Sequence, residues 1–510
     1  MRFPRSAGIL LHPTSLPGDY GIGELGTEAL RFASYLHQSG IKIWQVLPLN
    51  PTGYGDSPYQ SLSAFAGNPL LISLETLAAR GLLDSQDLSP LPDFPEGHVD
   101  FSMVIPWKFK LLRQAASRFF ASATGEQKTD FESFTQQNRE WLDDYALFMA
   151  AKDAHQGRIW TEWDTDLASR QESAITKWSE KLCAEIAAYK FWQYEFFRQW
   201  NAIRSDCAQR GIRIMGDIPI YAAHDSADVW AHPEMFWLDE KANPLKVSGV
   251  PPDYFSATGQ LWGNPLYRWD KLKASGYRWW IERLRASLNM FDMVRLDHFR
   301  GFEAYWEIPA GDPTAMHGKW VKGPGAELFK ILTDALGPLP IVAENLGVIT
   351  PEVEAIRTQF DYPGMAILQF AFSTDPQAPT FRPHNYEQQL VAYTGGHDND
   401  TMFGWWRSGV AKSTRSQADV KKEYADAQNY FGASADAFDR EVNWLFIRQV
   451  MKSVANTVLF PMQDVLGLGS EARMNTPGTL GGNWRWRLSP DSLRIADQSR
   501  LKLMAEMYER

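Results

Sequence analysis

The chain has 510 residues, a formal net charge of −10 and shares of apolar and charged residues that are ordinary for a globular protein. The negative charge disfavours nucleic acid and anionic membrane surfaces as partners, because both carry the same sign. The two cysteines, Cys183 and Cys207, allow no disulfide framework and no metal spacing, which favours a reducing compartment. The apolar run of residues 7–11 is too short for a signal peptide, and no apolar segment is long enough to span a membrane, so we expect a cytoplasmic protein.

The N-terminal part of the chain alternates strand and helix patterns. Gly8–His12 predicts a first strand, Thr27–Ser39 a helix ended by a glycine, and Ile41–Leu49 a second strand. Between the first strand and the helix, residues 21–26 (GIGELG) match the spacing of the dinucleotide-binding fingerprint. We reject nucleotide binding, because residues 13–20 separate these glycines from the strand and no acidic residue ends the second strand.

Two further segments have distinctive compositions. Residues 51–60 are rich in Gly, Pro, Asp and Ser, which predicts a loop. Its tyrosines, Tyr54 and Tyr59, either face solvent or form a platform on which a sugar can stack. Residues 65–207 have helical periodicity and predict a mainly helical insertion, since strands of the earlier type resume after it. Within it, aromatic residues recur at nearly every turn of 189–200, which is typical of packing against a core.

The remainder of the chain predicts six more strands, separated by helical or mixed segments. They are Ile212–Tyr221, Phe291–Asp297, Leu339–Glu344, Met365–Phe370, Val391–Asp398 and Thr457–Met462. Strands that alternate with helices form parallel βαβ units, and eight of them predict a (β/α)8 TIM barrel, with residues 1–510 as one catalytic unit. We expect further loop and helix insertions at residues 223–290, including an active-site flap rich in Gly and Pro at residues 246–265.

Four acidic residues, Asp217, Asp297, Glu344 and Asp398, stand at the ends of predicted strands. The C-terminal strand ends of a barrel form the face on which its active sites lie. We therefore expect a carboxylate cluster there, and such a cluster is costly unless it has a function or a metal. No zinc motif or phosphate loop is present, and residues 397–400 (HDND) lack the Gly and distal Glu of an EF-hand. We expect neither a metal nor a cofactor.

Arg295 and Asp297 stand two positions apart, so they share one face of the predicted strand. A guanidinium beside a carboxylate favours the charged form of that carboxylate. An ionised carboxylate at a strand end is what a nucleophile in glycosyl transfer requires. A purely structural Arg–Asp pair would show the same spacing.

Seven motifs, in order, resemble those of the 4-α-glucanotransferases (amylomaltase, disproportionating enzyme), glycoside hydrolase family 77 of the α-amylase clan. They are GYGDSPYQ (53–60), GDIPI (216–220), GQLWGNPL (259–266), VRLDHFRG (294–301), AENLG (343–347), TGGHDND (394–400) and ARMNTPG (472–478). The resemblance extends over essentially the whole chain. It implies transfer of an α-1,4-glucan segment from a donor glucan to the 4-OH of glucose or a maltooligosaccharide.

The resemblance also implies roles for individual residues. Asp297 would be the nucleophile of a retaining double displacement, Glu344 the general acid/base and Asp398 the stabiliser of the transition state. For this chemistry Glu344 needs a raised pKa, while Asp297 stays charged. The implied contacts to the glucan are Tyr54, Tyr59, Asp217, Gln260, Trp262, Arg295, His298, His397 and Asn475.

Alternatives remain open at this point. A hydrolase of the same clan would use the same three carboxylates, because transfer differs from hydrolysis only in whether a sugar or water accepts the glycosyl group. A non-catalytic glucan-binding barrel is disfavoured, since it has no need of Asp297, Glu344 and Asp398 together. The sequence leaves open whether the protein is a monomer or a small homo-oligomer.

Overall fold

The computed structural model describes residues 3–252, 256–409, 416–479 and 481–510. The strands within these ranges are β1 (Ser6–Leu10), β2 (Ile43–Gln45), β3 (Arg213–Ile218), β4 (Lys246–Val250), β5 (Gln260–Pro265), β6 (Met293–Leu296), β7 (Ala304–Pro309), β8 (Lys319–Lys322), β9 (Ile341–Ala343), β10 (Gly364–Ile367), β11 (Leu390–Tyr393) and β12 (Thr457–Pro461).

A parallel sheet of eight strands forms the centre of the molecule, in the spatial order β10, β11, β12, β1, β2, β3, β6, β9. The two outer strands meet where the backbone N–H of Ala343, in β9, donates to the carbonyl oxygen of Pro363, directly before β10. With helices between the strands, this is the predicted (β/α)8 barrel. All eight predicted strands are present. Seven are shorter than predicted, because the hydrogen-bonded ladder ends before the apolar run does, and β1 has the predicted length but lies two positions earlier.

The helices of the described ranges are α1 (Thr27–Gln38), α2 (Leu74–Ala79), α3 (Phe101–Ser122), α4 (Gly125–Gln137), α5 (Arg139–Ala154), α6 (Thr165–Ala168), α7 (Glu172–Lys181), α8 (Cys183–Gln209), α9 (Ala227–Ala231), α10 (Trp269–Ala274), α11 (Arg278–Met290), α12 (Ala326–Leu336), α13 (Pro351–Gln359), α14 (Met402–Ser408), α15 (Gln417–Phe431), α16 (Ala435–Met451), α17 (Met462–Leu466), α18 (Ser492–Ile495) and α19 (Gln498–Met507). None of these helices combines the length and the apolar character that crossing a membrane requires.

Helices α2 to α8 all lie between β2 and β3, in the part of the chain with helical periodicity. The longest, α8, buries the aromatic side chains Phe191, Trp192, Phe196 and Trp200. These rings pack in the large core that surrounds the barrel, as their spacing indicates. Each buried aromatic side chain removes a large apolar area from water, so this face of α8 stabilises the contact between the helices and the barrel.

The barrel has an inner and an outer core, because successive side chains of a strand point to opposite sides. The inner core consists of Phe3, Ile43, Met215, Met293, Val342, Met365, Ile367, Val391, Tyr393 and Leu459. Neighbours in the same strands, such as Ile214, Val294 and Ile341, belong to the outer core. At Gly216 a Cβ atom would lie 2.2 Å from the ring of Phe291, so this position of β3 accepts only glycine without rearrangement.

A second sheet is antiparallel and has four strands, in the spatial order β5, β4, β7, β8. The sequence patterns predict only a flap at residues 246–265 and not this sheet. Its strands are short. The pairs β4–β5 and β7–β8 are between consecutive strands, but β4 and β7 pair across a long separation, such as Lys246 with Pro309, so no local pattern indicates the whole sheet. Residues 253–255 of the predicted flap lie outside the described residues.

Candidate active site

The four acidic residues at the strand ends lie on one face of the barrel. Asp217 is in β3, Asp297 directly follows β6, Glu344 directly follows β9, and Asp398 is in the loop after β11. Because β3, β6 and β9 are neighbours in the sheet, the first three side chains are adjacent. Asp217 and Glu344 are buried, Asp297 is half-buried, and the side chain of Asp398 is exposed.

The buried guanidinium of Arg295 joins two of these acids. Its Nη1 donates to both carboxylate oxygens of Asp217, at 2.9 and 2.8 Å, and lies 2.8 Å from Oδ1 of Asp297. Burial alone would lower the pKa of Arg295, but the surrounding carboxylates raise it well above its usual value. Burial raises the pKa of Asp217 to about 6, against the lowering effect of Arg295. Asp217, Arg295 and Asp297 therefore form one ion-pair network, in which Asp217 and Arg295 have little access to water.

Burial and hydrogen bonding act in opposite directions on the pKa of Glu344. Its Oε2 accepts a hydrogen bond from the backbone N–H of His298 at 2.8 Å, and its Oε1 accepts one from Leu346 at 3.0 Å. These bonds favour the ionised form, yet burial, with help from the charge of Asp297, raises the pKa of Glu344 to about 8. A carboxyl group that keeps its proton at neutral pH thus lies beside the Asp297–Arg295 ion pair.

The backbone at His298 is in an uncommon conformation. Its φ of 48° is in the left-handed region, which residues other than glycine rarely adopt. This conformation turns the chain immediately after Asp297 and begins the 3-10 helix Phe299–Phe302. The turn also directs the N–H of His298 to Glu344, so the backbone after one acid orients the other.

Tyr59 connects the loop of residues 51–60 to the acidic cluster. Its hydroxyl donates to Oδ2 of Asp217 at 2.9 Å, and its ring stacks on His397 with 5.0 Å between the ring centroids. The ring of Trp484 also packs against Tyr59, with 5.7 Å between the two ring centroids. These contacts hold Tyr59 between Asp217, at the C-terminal end of β3, and the loop that carries Asp398.

Several groups hold Asp398, although its side chain is 51% exposed. Its Oδ1 accepts a hydrogen bond from Nδ2 of Asn475 at 2.6 Å and lies 3.4 Å from Nε2 of His397. Its backbone carbonyl accepts from the guanidinium of Arg473 at 2.5 Å. An oriented carboxylate that remains open to solvent is available to a ligand entering the barrel mouth.

Strand β5 brings two more of the predicted contacts to the site. Nε1 of Trp262 donates to Oε1 of Gln260 at 3.2 Å, and the indole lies edge-on to the ring of His298, 4.8 Å between centroids. A reciprocal amide pair, Gln60 with Asn264 at 3.2 and 3.3 Å, joins β5 to the loop that carries Tyr59. The antiparallel sheet and that loop therefore form one continuous wall.

All but one of the predicted contact residues belong to this network. The exception is Tyr54, which is 76% exposed in the 3-10 helix Tyr54–Asp56 and has no hydrogen bond or ring contact with the network within the described ranges. The sequence-based predictions do not include four residues of the network, which are Gln60, Asn264, Arg473 and Trp484. The first three lie inside the quoted motifs next to predicted contacts, whereas nothing in the local sequence marks Trp484.

Within the described ranges, no group of three or more His, Cys, Asp or Glu side chains could hold a metal ion. The side chains of the segment 397–400 have other partners. Oδ2 of Asp400 accepts from the hydroxyl of Ser470 at 2.7 Å, and Oδ1 of Asn399 accepts from the N–H of Gly396 at 2.8 Å.

A family model described as 4-alpha-glucanotransferase matches residues 11–493, which is most of the chain. The chain belongs to the 4-alpha-glucanotransferase family. The 4-alpha-glucanotransferase of Thermus thermophilus is 51% identical to it over 100% of both chains, and that of Synechocystis 49% identical over 99% of this chain and 98% of the relative. The structure of an amylomaltase from Streptococcus agalactiae in complex with acarbose is 37% identical, with a TM-score of 0.93 and 99% of each chain covered.

The similarity to 4-alpha-glucanotransferases confirms the predicted activity. The protein is an enzyme of α-1,4-glucan metabolism that transfers glucan segments, and the similarity does not favour hydrolysis as its main reaction. It also extends over the whole barrel together with its insertions, so it includes every strand end that carries an acidic residue.

Proposed function

We propose that the enzyme transfers glucan segments by a retaining double displacement, with Asp297 as nucleophile, Glu344 as general acid/base and Asp398 as stabiliser of the transition state. The main support is the contrast between two neighbouring acids. Glu344 keeps its proton, with a pKa of about 8, and Asp297 is paired with Arg295. A retaining glycosyl transfer requires such a pair, with carboxyl groups about 5 Å apart.

In the first step, Glu344 gives its proton to the glycosidic oxygen of the leaving chain. A carboxylate oxygen of Asp297 attacks the anomeric carbon as the glycosidic bond breaks, and a glycosyl ester forms. Positive charge develops on the sugar ring in the transition state, and fixed carboxylates near the ring stabilise it. Asn475 and His397 hold Oδ1 of Asp398 in place, which supports the proposed role of Asp398.

In the second step, Glu344 acts as a base. The ester neutralises Asp297, whose charge is one cause of the raised pKa of Glu344. The pKa therefore falls in the intermediate, and the carboxylate can accept the proton of the acceptor 4-OH while its oxygen attacks the anomeric carbon. The ester bond breaks, Asp297 is free again, and one glycosidic bond has replaced another.

We propose that Asp217, Arg295, His298, His397 and Tyr59 bind the sugar whose bond is exchanged. Gln260, Trp262 and Asn475 would contact the neighbouring units, and the exposed ring of Tyr54 a more distant part of a long glucan. This assignment is supported by the contacts that join all of these residues except Tyr54. A sugar held on such aromatic walls competes with water for the intermediate, which favours transfer.

We also propose that residues 1–510 act as a single catalytic unit, with a helical insertion at 65–207 and the flap-bearing insertion at 223–290. A cytoplasmic location is part of this proposal. The free thiols of Cys183 and Cys207 support it, since unpaired cysteines are typical of reducing compartments.

The experiment that tests the proposed function is the product pattern from maltotriose alone. A transferase produces glucose together with a ladder of longer maltooligosaccharides, and the Asp297→Asn variant produces neither. Products that are only shorter than maltotriose would show hydrolysis and contradict the proposal.

A further inference from the structure

Asp464, in α17, is a buried carboxylate that the proposed reaction does not use. Its side chain is 1% exposed, and within the described ranges it forms no ion pair with a lysine or arginine. Its Oδ2 accepts a hydrogen bond from Oγ1 of Thr394 at 2.8 Å, and its Oδ1 accepts one from the backbone N–H of Met402 at 2.9 Å. Burying a carboxylate without a cation costs free energy, because the charge loses its water. These two hydrogen bonds therefore have to offset a large free-energy cost of desolvation.

The two donors are the two ends of one loop. Thr394 directly follows β11, and Met402 is the first residue of α14. The residues between them, 394–401, form the Asp398 loop, which also carries His397. One side chain therefore bridges the point where this loop leaves the barrel and the point where it enters the next helix.

Asp464 is itself well fixed. Its backbone carbonyl accepts a hydrogen bond from Nδ2 of Asn443, in α16, at 2.7 Å. The Asp398 loop has other supports nearer its tip, since Nε2 of Gln369 donates to the carbonyl of Asp400 at 2.9 Å and Arg473 binds the carbonyl of Asp398. These supports act on single points of the loop, whereas the Asp464 side chain binds both of its ends.

We infer that Asp464 is a positioning residue for glucan transfer, which holds the ends of the Asp398 loop together and so fixes Asp398 and His397 relative to the sugar. The inference rests on the role proposed above for Asp398. If the base of the loop is released, its tip can adopt more positions. A displacement of about 1 Å in a catalytic group can lower the rate about 10²-fold.

The test compares two substitutions at this position. Asp464→Asn can keep both hydrogen bonds, because its Oδ1 accepts from the N–H of Met402 while its Nδ2 donates to the hydroxyl of Thr394, which accepts as readily as it donates. Asp464→Ala keeps neither. We expect kcat near the wild-type value for Asp464→Asn and a fall of about 10²-fold in kcat for Asp464→Ala.

A matched control separates positioning from a general loss of stability. Oε1 of Gln199, in α8, is also buried and accepts a hydrogen bond from a backbone N–H, that of Ser73, at 2.7 Å. Gln199→Ala should lower the melting temperature and leave kcat unchanged at temperatures where the variant is folded. If Asp464→Ala also keeps its kcat where it is folded, or if Gln199→Ala loses as much activity, Asp464 has only a structural role.

A double-mutant cycle shows whether Asp464 acts through Asp398. With α-maltosyl fluoride as donor, Asp464→Ala should add little to the rate loss of Asp398→Asn, because the group that it positions is already disabled. Independent, multiplicative losses would overturn the inference. If Asp398→Asn alone is fully active, the proposed function of Asp398 fails instead. Should Asp464→Ala not fold, Thr394→Val, which removes one of the two bonds, replaces it in the cycle, with the same two outcomes.

Discussion

Arg295 and Asp217 lie opposite each other in the paired strands β6 and β3, and one nitrogen of the arginine binds both oxygens of the aspartate. The same nitrogen lies beside Asp297, so the position of the proposed nucleophile depends on an acid from a neighbouring strand. This relationship exists only in the assembled barrel. It makes the ion pair and the orientation of the proposed nucleophile consequences of strand register.

The first prediction concerns the covalent intermediate. A 5-fluoro glucosyl fluoride should trap a glycosyl ester on Asp297, because fluorine slows breakdown of the ester by destabilising the oxocarbenium-like transition state. Mass spectrometry of the digested enzyme should place the added sugar on the peptide that contains residues 294–300. Asp297→Asn should abolish both trapping and transfer, since an amide is a poor nucleophile. Label on the peptide of Glu344 or Asp398 would mean that the roles are exchanged.

Replacement of Glu344, the proposed acid/base, should affect chemistry rather than folding. Glu344→Gln should lower the transfer rate by about 10² to 10⁴, the usual contribution of a general acid/base. The melting temperature and glucan affinity should change little, because the amide has nearly the shape of the carboxyl group. With a glucosyl fluoride donor, whose leaving group needs no proton, the variant should still accumulate the intermediate. Near wild-type turnover of maltotriose would remove Glu344 from the mechanism.

The raised pKa of Glu344 predicts an alkaline limb in the activity profile. Because the first step needs the protonated carboxyl group, kcat/KM for maltotriose should be steady near neutral pH and fall as the pH rises through about 8. The direction follows from the sign of the shift, since a raised pKa extends the protonated form upward in pH. The limb should vanish with a glucosyl fluoride donor. A limb at the same pH with that donor would assign it to another group.

Tyr59 provides a graded test of the sugar site. Tyr59→Phe removes the hydroxyl bound to Asp217 but keeps the ring on His397, so we expect a loss of about tenfold in kcat/KM, the worth of one hydrogen bond to a charged group. Tyr59→Ala also removes the ring contact and should lose more. Tyr386→Phe, which removes a hydroxyl bound to the carbonyl of Phe381 outside the site, is the control. Equal losses in Tyr59→Phe and Tyr59→Ala would show that the ring contributes nothing.

A stability prediction follows from Gly216 in β3. Gly216→Ala should lower the free energy of unfolding by about 1–3 kcal/mol, the usual cost of overpacking, because its methyl group would overlap the ring of Phe291. Gly97→Ala is the control, since a Cβ atom there meets nothing within 4 Å. Chemical denaturation of both variants measures the difference. Equal stabilities would mean that Phe291 moves aside without penalty.

Local sequence patterns were sufficient to predict the eight barrel strands. Each strand is a short apolar run between helical segments, and the rule that active sites lie at C-terminal strand ends directed attention to Asp297 and Glu344. The antiparallel sheet could not be predicted in this way. Strand β8 has only four residues, and its partner β7 pairs in turn with residues some sixty positions earlier, starting at Lys246. Pairing of this kind depends on the complete fold.

The site shows the same division between local and distant information. Tyr54 and Tyr59 belong to one loop and have equal claims from the sequence. In the structure Tyr59 is half-buried and packs against His397 and Trp484, whereas Tyr54 is exposed. The hydrogen bond from Tyr59 to Asp217 spans 158 positions of the chain. The protonation of Glu344 likewise depends on burial, which no motif states. The types of residue present thus indicate the chemistry, and tertiary packing decides which individual residues of each type belong to the site.

The first strand of the barrel, β1, lies between β2 and the last strand, β12, with Ser6 opposite Thr457. During synthesis, β1 therefore has one of its edges open until nearly the whole chain has left the ribosome. Contacts between such distant segments form slowly, because a long loop has to close before they gain any stability. Until the barrel closes, the exposed edge of β1 can pair with other chains. Because closure comes late, the yield of folded protein should depend on temperature and protein concentration.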